Sequence, residues 1–83
     1  MSAIGFDKQG LEAFNALTPV VQKRFRAYIE AIAENPYGTG RVFATAEEPY
    51  DRVLTVPDGW IRYVVRVLED PEVVITDLYW VML

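Results

Sequence analysis

The spacing of apolar residues changes once along the chain, and the change divides it in two. Leu11, Phe14 and Leu17 recur every three residues, which predicts a helix from about Lys8 to Ala16 with one apolar face. Asp7 stands where its carboxylate can accept the first free N–H groups of that helix. Thr18-Pro19 restarts the chain with a capping hydroxyl and a proline at the first helical position, where its missing N–H costs nothing. In the second helix Val21, Phe25, Tyr28, Ile29 and Ile32 repeat at three and four residues, and Lys23, Arg24, Arg26, Glu30 and Glu34 occupy the rest of the circumference. Asn35-Pro36 ends it. A short apolar run before the helices, Ser2 to Phe6, reads as an edge strand.

From Tyr37 to Pro49 no period survives, and Gly38 and Gly40 favour turns, so this stretch reads as a loop. Beyond it the pattern is that of strands, from about Tyr50 to Val56, Trp60 to Leu68 and Val73 to Val81. Pro57-Asp58-Gly59 and Glu69-Asp70-Pro71 supply the turn chemistry between them. The order β-α-α-β-β-β predicts an α+β fold in which a helical hairpin packs on one face of a small, mainly antiparallel sheet. With no internal repeat, residues 1–83 are expected to form a single domain.

The stretch DGWIRYVVRVLED, residues 58–70, places two arginines four apart in a run rich in Val, Ile and aromatics. In a strand, Arg62 and Arg66 point the same way. A two-residue loop at Asp70-Pro71 would set Arg66 opposite Ile75, Val64 opposite Asp77 and Arg62 opposite Tyr79. Arg62, Val64, Arg66, Ile75, Asp77 and Tyr79 would then share one face. Ile61, Tyr63, Val65, Val67, Val74, Leu78 and Trp80 would lie under the helices. This register keeps the Asp77 carboxylate out of the core.

Arg52, on the neighbouring strand, is a third candidate for the arginine face. Guanidinium groups so placed could contact phosphate or a partner's carboxylates. Alternatively Asp77 and one arginine form a cross-strand ion pair on a solvated face, worth under ~1 kcal/mol. Residue chemistry alone favours the ion pair. Trp60 and Trp80 are read as packing residues, and Glu47-Glu48 as solvated loop charges.

Composition narrows the chemistry. The chain has no histidine and no cysteine, which removes disulfides, thiolate metal sites and the commonest general base. Neither a metal nor a cofactor is expected. Eight Lys plus Arg against twelve Asp plus Glu leave a net charge of −4, which works against non-specific attraction to nucleic acid phosphates. No run approaches the ~18 apolar residues of a membrane span. The N-terminal MSAIGFDKQG lacks the basic start and apolar stretch of a signal peptide, so a cytoplasmic location is expected.

Taken together, the short first strand, the hairpin LEAFNALTPVVQKRFRAYIEAIAENPYGTGR with its Asn-Pro ending, and the segment YDRVLTVPDGWIRYVV resemble the RelE/ParE toxin superfamily of bacterial toxin–antitoxin modules over nearly the full chain. The resemblance implies a toxin component that binds an antitoxin protein. One branch of the family cleaves ribosome-bound messenger RNA, and the other inhibits DNA gyrase without nuclease chemistry. Arg52 and Arg62 would occupy the positions of the family's strand arginines, with Tyr79 as the remaining proton donor of a catalytic set. Arg62, Arg66 and Asp77 would meet a partner. The ending TDLYWVML lacks the basic or histidine-bearing tail of the nuclease branch. A toxin or inactive relative acting through an antitoxin is therefore expected first, a messenger RNA endoribonuclease second, and a non-toxic homodimeric binding protein third.

Overall fold

The structure is a computed structural model that describes residues 3–43 and 50–81; Glu47 and Glu48 lie outside them. Its elements are β1 (Ile4–Phe6), α1 (Lys8–Asn15), α2 (Pro19–Glu34), the short α3 (Pro36–Thr39), β2 (Arg41–Val42), β3 (Asp51–Val56), β4 (Gly59–Val65) and β5 (Val73–Trp80). They build a five-stranded mixed sheet in the order β1-β5-β4-β3-β2, with β1 parallel to β5 and every other pair antiparallel. The helices cover one face, as the two hydrophobic periods predict.

Local chemistry sets both helix starts. The Asp7 side chain accepts the Gly10 N–H at 2.7 Å, satisfying one orphan donor of α1. Pro19 opens α2, while Thr18 stands at the N-cap position without the expected side-chain capping hydrogen bond. Gly10 lets α1 lie directly on β5, since a Cβ there would stand 2.1 Å from the carbonyl oxygen of Ile75.

Phe25 and Ile32 of α2 are fully buried against Ile61, Tyr63, Val73 and Ile75 of the sheet, at about 1.5–3 kcal/mol of hydrophobic stabilisation per large side chain. Val21, Ile29 and Phe14 complete the helical side. Leu11 departs from the predicted stripe and is exposed. The Tyr63 hydroxyl donates to the carbonyl of Pro36, fastening β4 to the start of α3. Burial pushes the Tyr63 phenol upward.

The strand register differs from the sequence expectation, and the reason is physical. β4 ends at Val65, and residues 66–72 form a loop in place of a tight turn. Arg62 pairs with Asp77 but Tyr63 pairs with Ile75, so Thr76 is an extra residue in β5. Strict alternation from Val73 and Ile75 would send Asp77 into the core. The bulge reverses the alternation, and Leu78 is buried in its place. Ile75, expected on the arginine face, is consequently fully buried under the helices. Val67, expected under the helices, lies in the loop and is exposed.

Candidate functional site

The uncovered face of the sheet carries the candidate chemistry. Alternation along β3 and β4 brings Asp51, Val53 and Thr55 together with Trp60, Arg62 and Val64, because Pro57-Asp58 makes a two-residue turn that pairs Val53 with Arg62. Asp51 thus lies diagonal to Arg62. Its two oxygens accept from Nε at 3.0 Å and Nη2 at 2.6 Å, a fork-to-fork arrangement. The guanidinium also lies 4.2 Å from the Phe43 ring centroid. The Asp51 hydrogen bonds hold the Arg62 pKa above its ordinary value, with the Coulomb attraction of Asp77 as a smaller contribution. Arg62 is a permanent cation whose charge is paired with Asp51.

Two shallow clefts meet at Arg62. One, about 170 Å³, is polar and lined by Asp7, Gln9, Asp51, Thr76 and Asp77. The other, about 240 Å³, is mainly apolar and lined by Arg41, Phe43, Val53, Thr55 and Trp60. Asp77 stands opposite Arg62 across the strands, yet Asp51 makes the ion pair. Asp77 accepts instead from Gln9 Nε2 at 3.0 Å and from the backbone N–H of Leu78 at 2.8 Å. Tyr79 is half exposed and stacks on Trp60, ring centroids 6.0 Å apart. It faces Trp60, where the sequence register placed it opposite Arg62.

The other two arginines are elsewhere. Arg52 alternates with Asp51 and Val53 and so falls on the helix side, opposite Tyr63. It is 9% exposed, and its Nη2 donates to the carbonyls of Tyr37 and Gly40 at 2.7 and 2.9 Å. It ties α3 to β3, and its placement on the arginine face is corrected. Arg66 lies past the end of β4. Its Nε and Nη2 donate to the Pro71 carbonyl at 3.1 and 2.9 Å, and its Nη1 meets Glu69 at 3.2 Å. The expected pairing of Arg66 with Ile75 is replaced by this loop.

Two features escaped the sequence reading. Asp51 was visible in principle, because the two-residue turn at Pro57-Asp58 puts it diagonal to Arg62. Asp58, read only as a turn residue, is 8% exposed; it accepts from Arg24 Nη1 at 2.8 Å and from the Tyr28 hydroxyl at 3.0 Å. The Arg24 hydrogen bond, aided by that of Tyr28, holds its carboxyl below the usual range against the opposing effect of burial.

On the far side of the fold, β1, α1 and α2 enclose an apolar groove of about 480 Å³ bordered by Ile4, Phe6, Leu11, Phe14 and Ile29. Arg26 lies 5.6 Å over the Phe14 ring at its rim. Among the described residues no group of acidic side chains is disposed to hold a metal ion, and no helix is long and apolar enough to cross a membrane.

No family model and no curated protein matches the sequence. Solved structures match the fold. The isolated RelE toxin of E. coli superposes with a TM-score of 0.75 at 14% identity, covering 100% of this chain and 87% of that one. A mutant of the same E. coli toxin in complex with a RelBc antitoxin peptide superposes with a TM-score of 0.74 at 14% identity, covering 99% and 85%. The α+β architecture derived above is thus a RelE-like fold.

Proposed function

We propose that this chain is a toxin component of a RelE/ParE-type module, or a descendant of one, that acts by binding an antitoxin protein and does not cleave RNA. The carrying observation is the disposition of the arginines. A phosphoryl-transfer site needs cations free to meet developing charge and a group to take the attacking hydroxyl's proton. Arg52 is buried on the helix side, where it holds backbone carbonyls. Arg62 is engaged by Asp51, and Asp77 beside it would repel an entering phosphate.

The set lacks the commonest general base, since the chain has no histidine. The net charge of −4 also works against binding to a polyanionic ribosome. The antitoxin reading is supported by the apolar groove beside β1, which suits the apolar face of a partner segment, and by the antitoxin peptide carried by one of the superposable E. coli structures.

The test is co-purification with the product of the adjacent reading frame, together with a ribosome-dependent cleavage assay. Formation of the complex without RNA cleavage is the expected result. Cleavage by the natural protein that disappears in Arg62→Ala would overturn the proposal.

A further inference from the structure

Pro57-Asp58 makes the turn between β3 and β4, and Gly59 follows it as the first residue of β4. The fold needs that glycine. Its φ is +155°, which residues with a side chain rarely adopt, and a Cβ there would run into the carbonyl oxygen of Tyr79 on β5. The fold also uses Asp58 at both ends. One carboxylate oxygen accepts from Arg24 and the other from Tyr28, fastening the turn to α2. Its backbone carbonyl accepts the Val81 N–H at 2.8 Å, just past the end of β5.

The chain has a single Asp-Gly junction, this one, and no Asn-Gly. Glycine leaves the backbone nitrogen after an aspartate less hindered than any other residue does, so here the aspartyl carboxyl is most open to attack by its own main chain. The reaction needs water alone. The Gly59 nitrogen loses its proton and bonds to Cγ of Asp58 as a C–O bond breaks, and the hydroxyl of the protonated carboxyl leaves as water. Water then opens the five-membered imide. Opening at Cγ restores aspartate, whereas opening at the α-carbonyl leaves the main chain running through Cβ and Cγ as isoaspartate.

The folded turn withholds both reactants. A carboxylate that accepts from a guanidinium and a phenol stays ionised, and an ionised carboxyl has no hydroxyl to release. The same two bonds hold the side chain toward α2, and Gly59 is engaged in the β3–β4 ladder opposite Val56.

We propose that the Asp58-Gly59 junction is a conformation-gated modification site, at which aspartate converts to isoaspartate through a cyclic imide when Arg24 and Tyr28 release the carboxylate. Local opening of the turn from α2 is the gate. Once formed, isoaspartate prevents the turn from closing as before, because the side-chain carboxylate that held Arg24 and Tyr28 has become a main-chain amide and the carbonyl that held Val81 has become a free carboxylate. The extra main-chain carbon also sits inside a two-residue turn, where loop length sets the pairing of Val53 with Arg62. The modification thus marks copies whose turn has spent time detached. It is independent of the antitoxin reading.

Incubating the full chain at neutral pH tests it, with isoaspartate measured by methyl transfer from labelled S-adenosylmethionine through an isoaspartyl methyltransferase and located by electron-transfer fragmentation. A synthetic peptide of residues 54–62 supplies the ungated rate. The natural protein is expected to convert at Asp58 several-fold more slowly than the peptide, and Arg24→Ala several-fold faster than the natural protein. Arg24→Lys, which keeps a cation, falls between them. Tyr28→Phe removes only the hydroxyl and keeps the ring against Phe25, so it also converts faster and tests the gate if Arg24→Ala does not fold. Ile29→Val loosens the core without touching the three gating residues and keeps the natural rate.

A natural protein that converts as fast as the peptide, or Arg24→Ala and Tyr28→Phe that convert no faster than the natural protein, would overturn the proposal. So would Ile29→Val converting as fast as Arg24→Ala, since overall stability would then set the rate in place of the two bonds to Asp58.

Discussion

The two faces of the sheet use the same residue type for opposite purposes. On the helix side Arg52 is buried, and its guanidinium stands in for backbone donors by holding the carbonyls of Tyr37 and Gly40. On the open side Arg62 is about one third exposed and its charge is balanced by Asp51. The first arginine braces a turn and the second belongs to a surface pair. An arginine in a strand of this fold therefore carries no function by its type alone, since a shift of one position changes its face and its partners.

Emptying the covered face is expected to have the largest effect. Phe25→Ala, at a fully buried position, is expected to cost about 3–5 kcal/mol, read as a fall in the urea midpoint. Arg52→Ala should cost about 2–3 kcal/mol, because it leaves two carbonyls of a part-buried turn without their charged donor. The measurement that checks it is the same melt, and a cost below that of Arg62→Ala would reverse the assignment of the two faces.

Asp58→Asn sharpens the covered side further. It should cost about 1–2 kcal/mol at neutral pH by weakening the bonds from Arg24 and Tyr28. Asp58 has a folded pKa below its unfolded value. Its stabilisation is thus present above the unfolded carboxylate pKa of ~3.9 and is lost as pH falls through the lower folded pKa. The gap between the natural protein and Asp58→Asn should accordingly close below about pH 4. A gap that stays constant with pH would show that the carboxylate charge contributes nothing. The smallest effect belongs to Arg62→Ala, about 1 kcal/mol or less for a partly exposed pair, with no RNA-cleaving activity lost in the ribosome assay.

Much of the fold is legible in the residues themselves. The three-four period from Val21 to Ile32, the Asp7 cap and the proline at the start of α2 are local properties, so the two helices could be placed without knowing what they cover. The sheet face of Ile61, Tyr63 and Val65 follows from simple alternation. The bulge at Thr76 does not, because it answers a conflict between Asp77 and the core that arises only once both strands are paired. Reading past it placed Ile75 on the wrong face. The candidate site was half legible: Arg62 was found on the open face, but its Asp51 partner required the β3–β4 register to be worked through. The tether of Arg52 depends on carbonyls 15 and 12 residues away in sequence, which no periodicity reports.

The parallel pairing of β1 with β5 joins Ile4 to Val73, strands from opposite ends of the described chain. During synthesis the helices emerge long before the strand that fixes β1 beside them. Their apolar faces are not fully covered until β5 arrives, and the long sequence separation slows the final closure. The groove beside β1 is therefore among the last surfaces to take shape. A ligand that needs it recognises the finished protein and has little to grip on a partly made one.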